Sequence, residues 1–370
     1  MRILFINSVC GIRSTGRIVA ELADYYMAQG HEVKIAYGRE AAAEKYAHIS
    51  YRIGTDTDVK LNALKARFSD NEGFNAVKQT KKFIEFANNY DPDVLWLHNL
   101  HGYYINIEML FDWIKQRPCM KVMWTLHDCW AFTGHCAHFD YVKCRRWKED
   151  CRSCPQKNEY PTSWMLDNSS NNYRRKKDAF CGVNDMTLIT PSEWLASLVK
   201  ESFLKQYQVK VVNNTIDNDI FKPTESDFRK LNGLEDEVIV LGVASSWSER
   251  KGLSDFIKLS DMLPHDYKIV LVGLTEKQIK KMPKNIFCIE RTDSAKELAK
   301  LYTTADVFVN LTYEDTYPTV NLEAQACGTP CLTYRTGGSV ESVPCENVVE
   351  QGNIEVIVKR IKEICGMKGQ

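Results

Sequence analysis

A polar and acidic stretch near position 315 has the residue types that bind phosphate and hydroxyl groups. The stretch is Tyr313-Glu314-Asp315-Thr316-Tyr317-Pro318-Thr319, and Glu323 follows it. The apolar run 307–311 predicts a buried strand and segment 320–326 predicts a helix, so the stretch leads into a helix N-terminus. Backbone N–H groups and the helix dipole favour an anion there, while the Asp315 and Glu323 carboxylates can accept hydrogen bonds from hydroxyl groups. The alternative is an ordinary helix start with a solvated acidic cap.

A second group of polar side chains follows two apolar segments in the first half of the chain. His127 and Asp128 come directly after segment 122–126, and a neighbouring segment, 94–98, ends in His98, Asn99 and His101. A His-Asp pair at a strand end can contact the polar groups of a reacting ligand. The alternative for His127 is a structural hydrogen bond within a loop.

Four closely spaced cysteines have the chemistry of a closed metal site. Cys136, Cys144, Cys151 and Cys154 fall within nineteen residues and end in a Cys-x-x-Cys-Pro sequence. Four thiolates suit a tetrahedral Zn²⁺ ion of structural type, which would order a segment with little apolar content of its own. His135 and His138 are reserve ligands, and the alternative is four unrelated reduced thiols.

The elements that must position these residues alternate between apolar strands and amphipathic helices. This rhythm runs through the first half and restarts after Asn214, which predicts an α/β chain of two doubly wound parallel-sheet domains. We place the domains at 1–215, with the cysteine-rich insertion at 134–156, and at 216–352. A final helix within 353–370 is expected to pack back on the first domain. Ligands of such sheets bind at the carboxyl ends of the strands, so the chemistry should come from both halves, around a central cleft.

Composition excludes several other classes of protein. The 370 residues carry 48 basic and 48 acidic side chains, which argues against a general nucleic-acid binder. No apolar run approaches the ~20 residues that cross a bilayer, and the N-terminal apolar run is too short for a secretory signal. We therefore expect a cytoplasmic protein with reduced thiols.

Taken in order, the motifs resemble the retaining GT-B glycosyltransferases of family four. Asp315 and Glu323 are separated by seven residues, with Glu323 in a Leu-Glu-Ala sequence, and Cys-Gly-Thr-Pro and Gly337-Gly338 follow. Asn214-Thr215-Ile216-Asp217 stands where the family has Asn-Gly-Ile-Asp, and Arg250-Lys251-Gly252 follows the first strand of the second domain. The resemblance covers essentially the whole chain and implies the GT-B fold.

The resemblance also implies roles for individual residues. Lys251 should contact the donor diphosphate, Glu323 the ribose, and Asp315 the region of the donor sugar. Gly16, in the loop after the first strand, should let the backbone approach the phosphates, and His127 should lie at the catalytic centre. The donor-binding set is completed by Arg250, Thr316, Tyr317, Pro318 and Thr319, while the acceptor side comprises His98, Asn99, His101 and Asp128.

The chain departs from the family pattern at two positions. Asp315 replaces the usual Glu, so Glu314 beside it is an alternative for the first acidic role. Ser246 replaces an Arg of the family, so Arg250 becomes the candidate second phosphate cation.

The implied activity is retaining transfer of a sugar from a UDP- or GDP-linked donor to a hydroxyl acceptor. A bacterial surface polysaccharide or a lipid-linked oligosaccharide is the expected acceptor class. No Asp-x-Asp pair is placed to hold a divalent ion at the diphosphate, so the chemistry is expected to need no metal. The alternatives are a GT-B sugar-nucleotide epimerase and a non-catalytic zinc-containing scaffold. The basic run Arg174-Arg175-Lys176-Lys177 reads as a solvated face, with a weak inner-membrane contact as the alternative.

Overall fold

The computed structural model describes residues 1–366 and divides the chain into two compact units. Unit 1 is Met1–Asn213 and unit 2 begins at Asn214. The division lies two residues before the boundary expected from the sequence. Among the described residues, none of the helices combines the length and apolarity needed to span a bilayer.

Unit 1 contains a seven-stranded sheet in which every neighbouring pair is parallel. Its strands are β1 (Arg2–Asn7), β2 (Glu32–Tyr37), β3 (Ser50–Arg52), β4 (Val94–Leu97), β5 (Lys121–Thr125), β6 (Met186–Thr190) and β7 (Gln208–Val211). The spatial order is β3-β2-β1-β4-β5-β6-β7, so the direction of winding reverses between β1 and β4. Such a reversal opens a crevice at the carboxyl ends of the strands.

Helices connect these strands. They are α1 (Arg13–Ala28), α2 (Asp56–Ser69), α3 (Val77–Tyr90), α4 (Ile107–Lys115), α5 (Ser169–Phe180) and α6 (Glu193–Glu201). Alternate residues of β1 enter two different apolar cores: Leu4 and Ile6 one of them, and Ile3 and Phe5 the other. Because successive side chains of a strand point to opposite faces, a strand covered on both sides reads as a continuous apolar run.

Unit 2 contains a six-stranded parallel sheet in the order β10-β9-β8-β11-β12-β13. Its strands are β8 (Val238–Val243), β9 (Tyr267–Val272), β10 (Ile286–Ile289), β11 (Val307–Asn310), β12 (Cys331–Tyr334) and β13 (Val348–Val349). Its helices are α7 (Phe228–Asn232), α8 (Leu253–Met262), α9 (Glu276–Ile279), α10 (Ala295–Thr304), α11 (Thr319–Ala326) and α12 (Ile354–Gly366). The predicted α/β class with two doubly wound sheets is confirmed.

The C-terminal helix contributes to a core of unit 2. The apolar face of α12 is buried there together with Phe256 of α8. Ile354, Ile357, Ile361 and Ile364 recur at helical spacing, and they complete the layer of helices on this sheet. Residues 367–370 of the expected C-terminal segment lie outside the described residues.

Several elements carried no clear signal in the sequence. Helix α2 is the clearest example, because Leu61, Leu64 and Phe68 are exposed on it while the polar Asn62 is buried. A helix whose apolar residues do not face the core lacks the periodic pattern that identifies it. The short edge strands β3 and β7 are only partly buried and were missed for the same reason.

Candidate active site

The five polar residues predicted for the first half of the site lie around one cavity in unit 1. This small cavity lies where β4 and β5 end. Its lining includes His98, Asn99, His101, His127 and Asp128. These residues therefore lie at the carboxyl ends of two strands of the sheet, as the sequence predicted.

Two of these histidines form a pair, of which His98 is buried and His127 is half-buried. The Nδ1 atom of His98 lies 3.0 Å from the Nε2 atom of His127. Burial lowers the pKa of His127 to about 4, although the Asp128 carboxylate opposes this shift. Burial, followed by repulsion from His127, holds the pKa of His98 well below its ordinary value. Both rings are therefore neutral at neutral pH, and one donates the shared hydrogen bond while the other accepts it.

His101 is held from both sides of its ring. Its Nε2 lies 2.8 Å from Asp128 Oδ2, and its Nδ1 lies 2.9 Å from the Tyr160 hydroxyl. Asp128 Oδ1 also accepts the Trp130 N–H at 2.9 Å. Although burial opposes ionisation of Asp128, the charge and hydrogen bond of His101 outweigh it and place the pKa of Asp128 below its usual range. The two residues of the predicted His127-Asp128 pair thus have different partners. His127 contacts His98, and Asp128 contacts His101.

Glu72 is a further buried group that the sequence did not reveal. Its Oε1 accepts the backbone N–H groups of Gly102 at 2.6 Å and Tyr103 at 3.0 Å. Burial raises the pKa of Glu72 more than these two hydrogen bonds lower it. The carboxyl group thereby fixes the turn that follows His101. No signal in the sequence could have found it, since Glu72 lies between α2 and α3, thirty positions from the turn.

Gly16 lies on the first turn of α1 and not in the loop where the sequence analysis placed it. A Cβ atom at this position would lie 3.0 Å from Val9 Cγ2 and 3.3 Å from the Gly11 nitrogen. The helix and the end of the β1 loop therefore approach closely, and an added Cβ atom would require its neighbours to shift by a few tenths of an ångström.

In unit 2, Lys251 and Asp315 are in direct contact. Lys251 Nζ lies 2.7 Å from Asp315 Oδ2, and the two side chains are 24% and 20% exposed. Arg250 pairs instead with Glu314, with 3.5 Å between Arg250 Nε and Glu314 Oε1. The Glu314 side chain is only 1% exposed, so Asp315 is the carboxylate that remains partly accessible beside the candidate phosphate cation.

The loop that carries Asp315 is shaped by backbone contacts. Gly338 N–H donates to the Asp315 carbonyl at 3.1 Å, and Tyr317 N–H donates to Asp315 Oδ1 at 3.3 Å. Gly337 has a φ of +46°, and a Cβ atom there would lie 2.0 Å from the Asp315 carbonyl oxygen. The Gly-Gly sequence is thus needed so that the 337–338 turn can lie against this loop. Thr316 is buried, Pro318 directly precedes α11, and Thr319 is the first residue of this helix.

Glu323 lies in α11, and its side chain is almost fully buried. Its Oε2 accepts the Tyr302 hydroxyl at 3.0 Å, so a tyrosine of α10 holds one carboxylate oxygen in place. Burial, with the nearby Glu323 charge, raises the pKa of Tyr302 well above its ordinary value. The sequence identified Glu323 but offered no indication of this partner.

The four predicted cysteines also lie together in unit 1. Together with His135 they line one small cavity. His138, the other reserve ligand, does not line this cavity. Within residues 1–366, no group of three or more His, Cys, Asp or Glu side chains already has an arrangement that could hold a metal ion.

Only Arg174 and Lys177 of the basic run in α5 are exposed to solvent. Lys176 is buried, and its Nζ donates to the carbonyl oxygens of Trp130 at 2.8 Å and Thr133 at 3.1 Å. Burial lowers the pKa of Lys176 to about 7. Arg175 forms a two-pronged ion pair with Glu108 of α4. Two of the four cations are therefore involved in helix packing. Lys176 points into the core of unit 1, and Arg175 contacts α4.

Comparison with solved structures shows the fold. A sucrose-phosphate synthase from Thermosynechococcus elongatus superposes with a TM-score of 0.71 at 17% identity, covering 99% of this chain and 90% of that one. Anabaena HepE, solved in complex with UDP, superposes with a TM-score of 0.67 at 15% identity, covering 100% and 91%. The GT-B fold implied by the sequence motifs is confirmed.

Comparison of sequences points to the same group of proteins. WcaC of Escherichia coli K12, named for a glycosyl transferase role in colanic acid biosynthesis, is 31% identical over 132 residues, which cover 34% of this chain and 32% of WcaC. Matches to the curated relatives span from under a third to about half of their lengths. The family described as Glycosyl transferases group 1 matches residues 224–368, and the one described as Glycosyltransferase Family 4 matches residues 15–220. The second of these matches covers more than half of the chain, which therefore belongs to Glycosyltransferase Family 4.

Proposed function

We propose that this protein is a retaining glycosyltransferase. It transfers a hexosyl or related sugar from a nucleoside diphosphate donor to a hydroxyl acceptor without a divalent metal in the chemistry. The observation that carries the proposal is the contact between Lys251 and Asp315 directly before α11. A cation, a carboxylate and a helix N-terminus are thus grouped in the unit that matches Glycosyl transferases group 1.

The charges in unit 2 suit a diphosphate leaving group. Lys251 and the N-terminal end of α11 can stabilise the negative charge that develops as the sugar departs, and Arg250 can add to this. Asp315 and Glu323 can accept hydrogen bonds from donor hydroxyl groups. Anabaena HepE, which has a similar fold, has been solved with UDP and with UDP-glucose, and this supports a nucleotide-sugar donor.

Of the three Asp-x-Asp pairs in the sequence, Asp217 and Asp219 lie in unit 2, where Asp217 accepts the backbone N–H groups of Asp219 and Ile220. The other two pairs lie in unit 1. Asp58 caps α2 through Thr55, while Asp56 pairs with Arg52. Asp93 accepts the Arg2 backbone N–H at 2.7 Å, and Asp91 binds the Arg2 guanidinium at 2.8 Å. Both pairs are therefore engaged in structural contacts of the sheet and helix ends.

The cavity of unit 1 supports a role in positioning the reacting hydroxyl groups. In the proposed front-face mechanism, the bond between the anomeric carbon and the leaving phosphate oxygen breaks while the acceptor oxygen bonds to the same face. The acceptor proton passes to the departing phosphate oxygen, so no protein nucleophile is needed. The neutral His127 ring can hydrogen-bond a sugar hydroxyl without adding charge. An inverted anomeric configuration in the product, detected by NMR, would contradict this mechanism.

We propose a glycan or lipid-linked saccharide as the acceptor, which places the reaction at the cytoplasmic surface of a membrane. The name of WcaC supports a polysaccharide product.

An exposed patch on unit 1 supports membrane contact better than the basic run of α5 does. We define the apolar patch as Leu61, Leu64, Phe68, Trp164, Met165 and Leu166.

The residues of the apolar patch are contiguous and flanked by cations. Leu61, Leu64 and Phe68 share one face of α2, and the Phe68 ring centroid lies 5.6 Å from that of Trp164, which is 54% exposed. Lys60 and Lys65 are exposed on the same helix face. Aromatic and aliphatic side chains with flanking lysines suit the interface of an anionic bilayer.

Replacement of Lys251 tests the donor site directly. We expect Lys251→Ala to weaken nucleotide-sugar binding about tenfold or more, since a charge-assisted contact to phosphate is lost. The measurement is the rise in melting temperature of the full chain across a panel of UDP and GDP sugars. Transfer to a glycan acceptor is then assayed with the sugar that stabilises the protein most.

Lys296→Ala is the matched control, because this exposed lysine lies on α10 of the same unit. It should leave the donor-induced shift unchanged. Equal shifts for the Lys251 and Lys296 variants would rule out the proposed donor site. Conversion of the donor sugar without any acceptor would instead identify an epimerase.

A further inference from the structure

The segment between the short helical turn Trp130–Phe132 and α5 has little regular structure. Across residues 133–168 the only helical element is the single turn Arg146–Lys148. Loops of this length inside a compact domain are uncommon unless something else orders them. A small aromatic contact, with 4.9 Å between the ring centroids of Phe139 and Trp147, orders one part of it.

The four cysteines of this segment face one cavity although they are spread along it. Cys136, Cys144, Cys151 and Cys154 all line that cavity, and none of them is in a disulfide. Folding has therefore brought four thiols together from separate turns. Four sulfur atoms around one space are the donor set of a closed tetrahedral zinc site.

The backbone around the cavity is adapted to a sulfur ligand. The Gly134 N–H donates to Cys151 Sγ at 3.2 Å. A Cβ atom at Gly134 would lie 2.0 Å from the Ser169 carbonyl oxygen and 2.8 Å from Cys151 Cβ, so only a glycine allows this approach. Backbone N–H groups directed at sulfur stabilise its thiolate form.

A histidine that lines the cavity is held by a carboxylate. The Asp70 carboxylate contacts His135 Nδ1, whereas the buried His135 Nε2 has no hydrogen-bond partner among the described residues. A histidine supported by a carboxylate at one ring nitrogen is typical of the surroundings of a metal centre.

We propose that Cys136, Cys144, Cys151 and Cys154 bind one structural zinc ion, with His135 as the neighbouring group that contacts the metal-thiolate centre. Because the side chains do not stand in metal-binding geometry within residues 1–366, the sulfur atoms must draw closer as the ion enters. All four coordination positions are filled by protein, so the ion orders the segment and takes no part in the reaction.

The zinc ion would also support the cavity of unit 1. Tyr160, six residues after Cys154, hydrogen-bonds His101 Nδ1 at 2.9 Å. Ser163 and Trp164, further along, hydrogen-bond to α2. Loss of the ion should therefore loosen Tyr160 and the side of the cavity that His101 lines.

Metal analysis of the purified full chain tests this inference independently of any transferase activity. We expect about one zinc equivalent per chain, released in proportion as the thiols are titrated with an organomercurial reagent. Cys151→Ser and Cys154→Ser should reduce the zinc content below about half an equivalent. Removal of zinc with a chelator should lower the melting temperature of the wild type.

Cys119→Ser and Cys345→Ser are the matched controls, because these two cysteines are exposed and lie away from the cavity. Both variants should retain the full zinc content. Wild-type protein with less than about half an equivalent of zinc, with iron in its place, or with a Cys136–Cys154 disulfide would overturn the proposal, whatever the folding of the variants. A zinc content that is equal in the Cys151 and Cys119 variants would do the same.

Discussion

At the scale of single residues, the environment of each polar group decides its protonation. His127 and His98 share one hydrogen bond and both have lowered pKa values because they are buried. Asp128 stays ionised because His101 holds it. The residue types were evident in the sequence, whereas the pairing His98–His127 and His101–Asp128 required the folded chain.

The lowered pKa of His127 predicts how stability depends on pH. The folded protein keeps His127 neutral down to about pH 4, while the unfolded chain binds a proton near pH 6.5. The unfolded state thus binds more protons in this window, so the free energy of unfolding should fall as the pH is lowered through it. We expect His127→Gln to remove about 2 kcal/mol of the loss of unfolding free energy between roughly pH 7 and pH 5.

Denaturant unfolding followed by tryptophan fluorescence at the two pH values measures this difference. His48→Gln is the control, because His48 is exposed in the same unit. If both variants lose stability as steeply as the wild type, the neutral buried state of His127 is wrong.

At the scale of elements, the loops after the strands carry the candidate chemistry. The sequence predicted the strand and helix on either side of the Asp315 loop, and β11 and α11 are found there. The contact between that loop and the turn at Gly337 joins positions twenty-two apart, which local patterns do not report.

Gly337 gives a prediction at this scale. A Cβ atom at Gly337 would lie 2.0 Å from the Asp315 carbonyl oxygen, so Gly337→Ala must displace the loop. We expect a loss of roughly 1–3 kcal/mol in stability together with weaker donor binding. Thermal unfolding with and without the stabilising nucleotide sugar measures both effects.

Gly233→Ala is the matched control for backbone strain. Gly233 also has a positive φ, +64°, but a Cβ atom there would have nothing within 4 Å. This variant should lose about 1 kcal/mol and bind the donor normally. Donor binding that is unaffected in the Gly337 variant would show that the turn does not shape the site.

At the scale of the whole molecule, burial decides which surfaces are available to a partner. Two of the four cations of the basic run in α5 are used inside unit 1, whereas the apolar patch on α2 and the 164–166 segment is exposed. Large apolar side chains that cluster on a surface indicate an interaction site.

We expect the full chain to co-sediment with vesicles rich in phosphatidylglycerol and less with phosphatidylcholine vesicles. Combined replacement of Leu64, Phe68 and Trp164 by Ser should weaken binding about tenfold, and Lys60→Glu with Lys65→Glu should do likewise. Leu231→Ser is the control, since Leu231 is exposed in unit 2 and does not belong to the apolar patch. If the patch variant and the control sediment equally, the apolar patch does not bind the membrane. If the wild type binds both lipids equally, the flanking lysines do not contribute to binding.

The sequence by itself determined the two α/β units, the strand-end positions of the polar residues and the spacing of the cysteines. These features are local, because strand and helix periodicity and the polar residues at strand ends can be read within a few positions. The positions of His98, His127, Lys251 and Asp315 were therefore predictable.

Only the tertiary structure decided which side chains meet. Tyr160 reaches His101 across 59 positions, Glu72 reaches Gly102 across 30, and the buried Lys176 reaches Trp130 across 46. It also decided that Glu314 is buried against Arg250 while Asp315 contacts Lys251. The physical reason is that burial and hydrogen-bond partners come from distant segments brought together by packing, and such contacts leave no periodic trace in the chain.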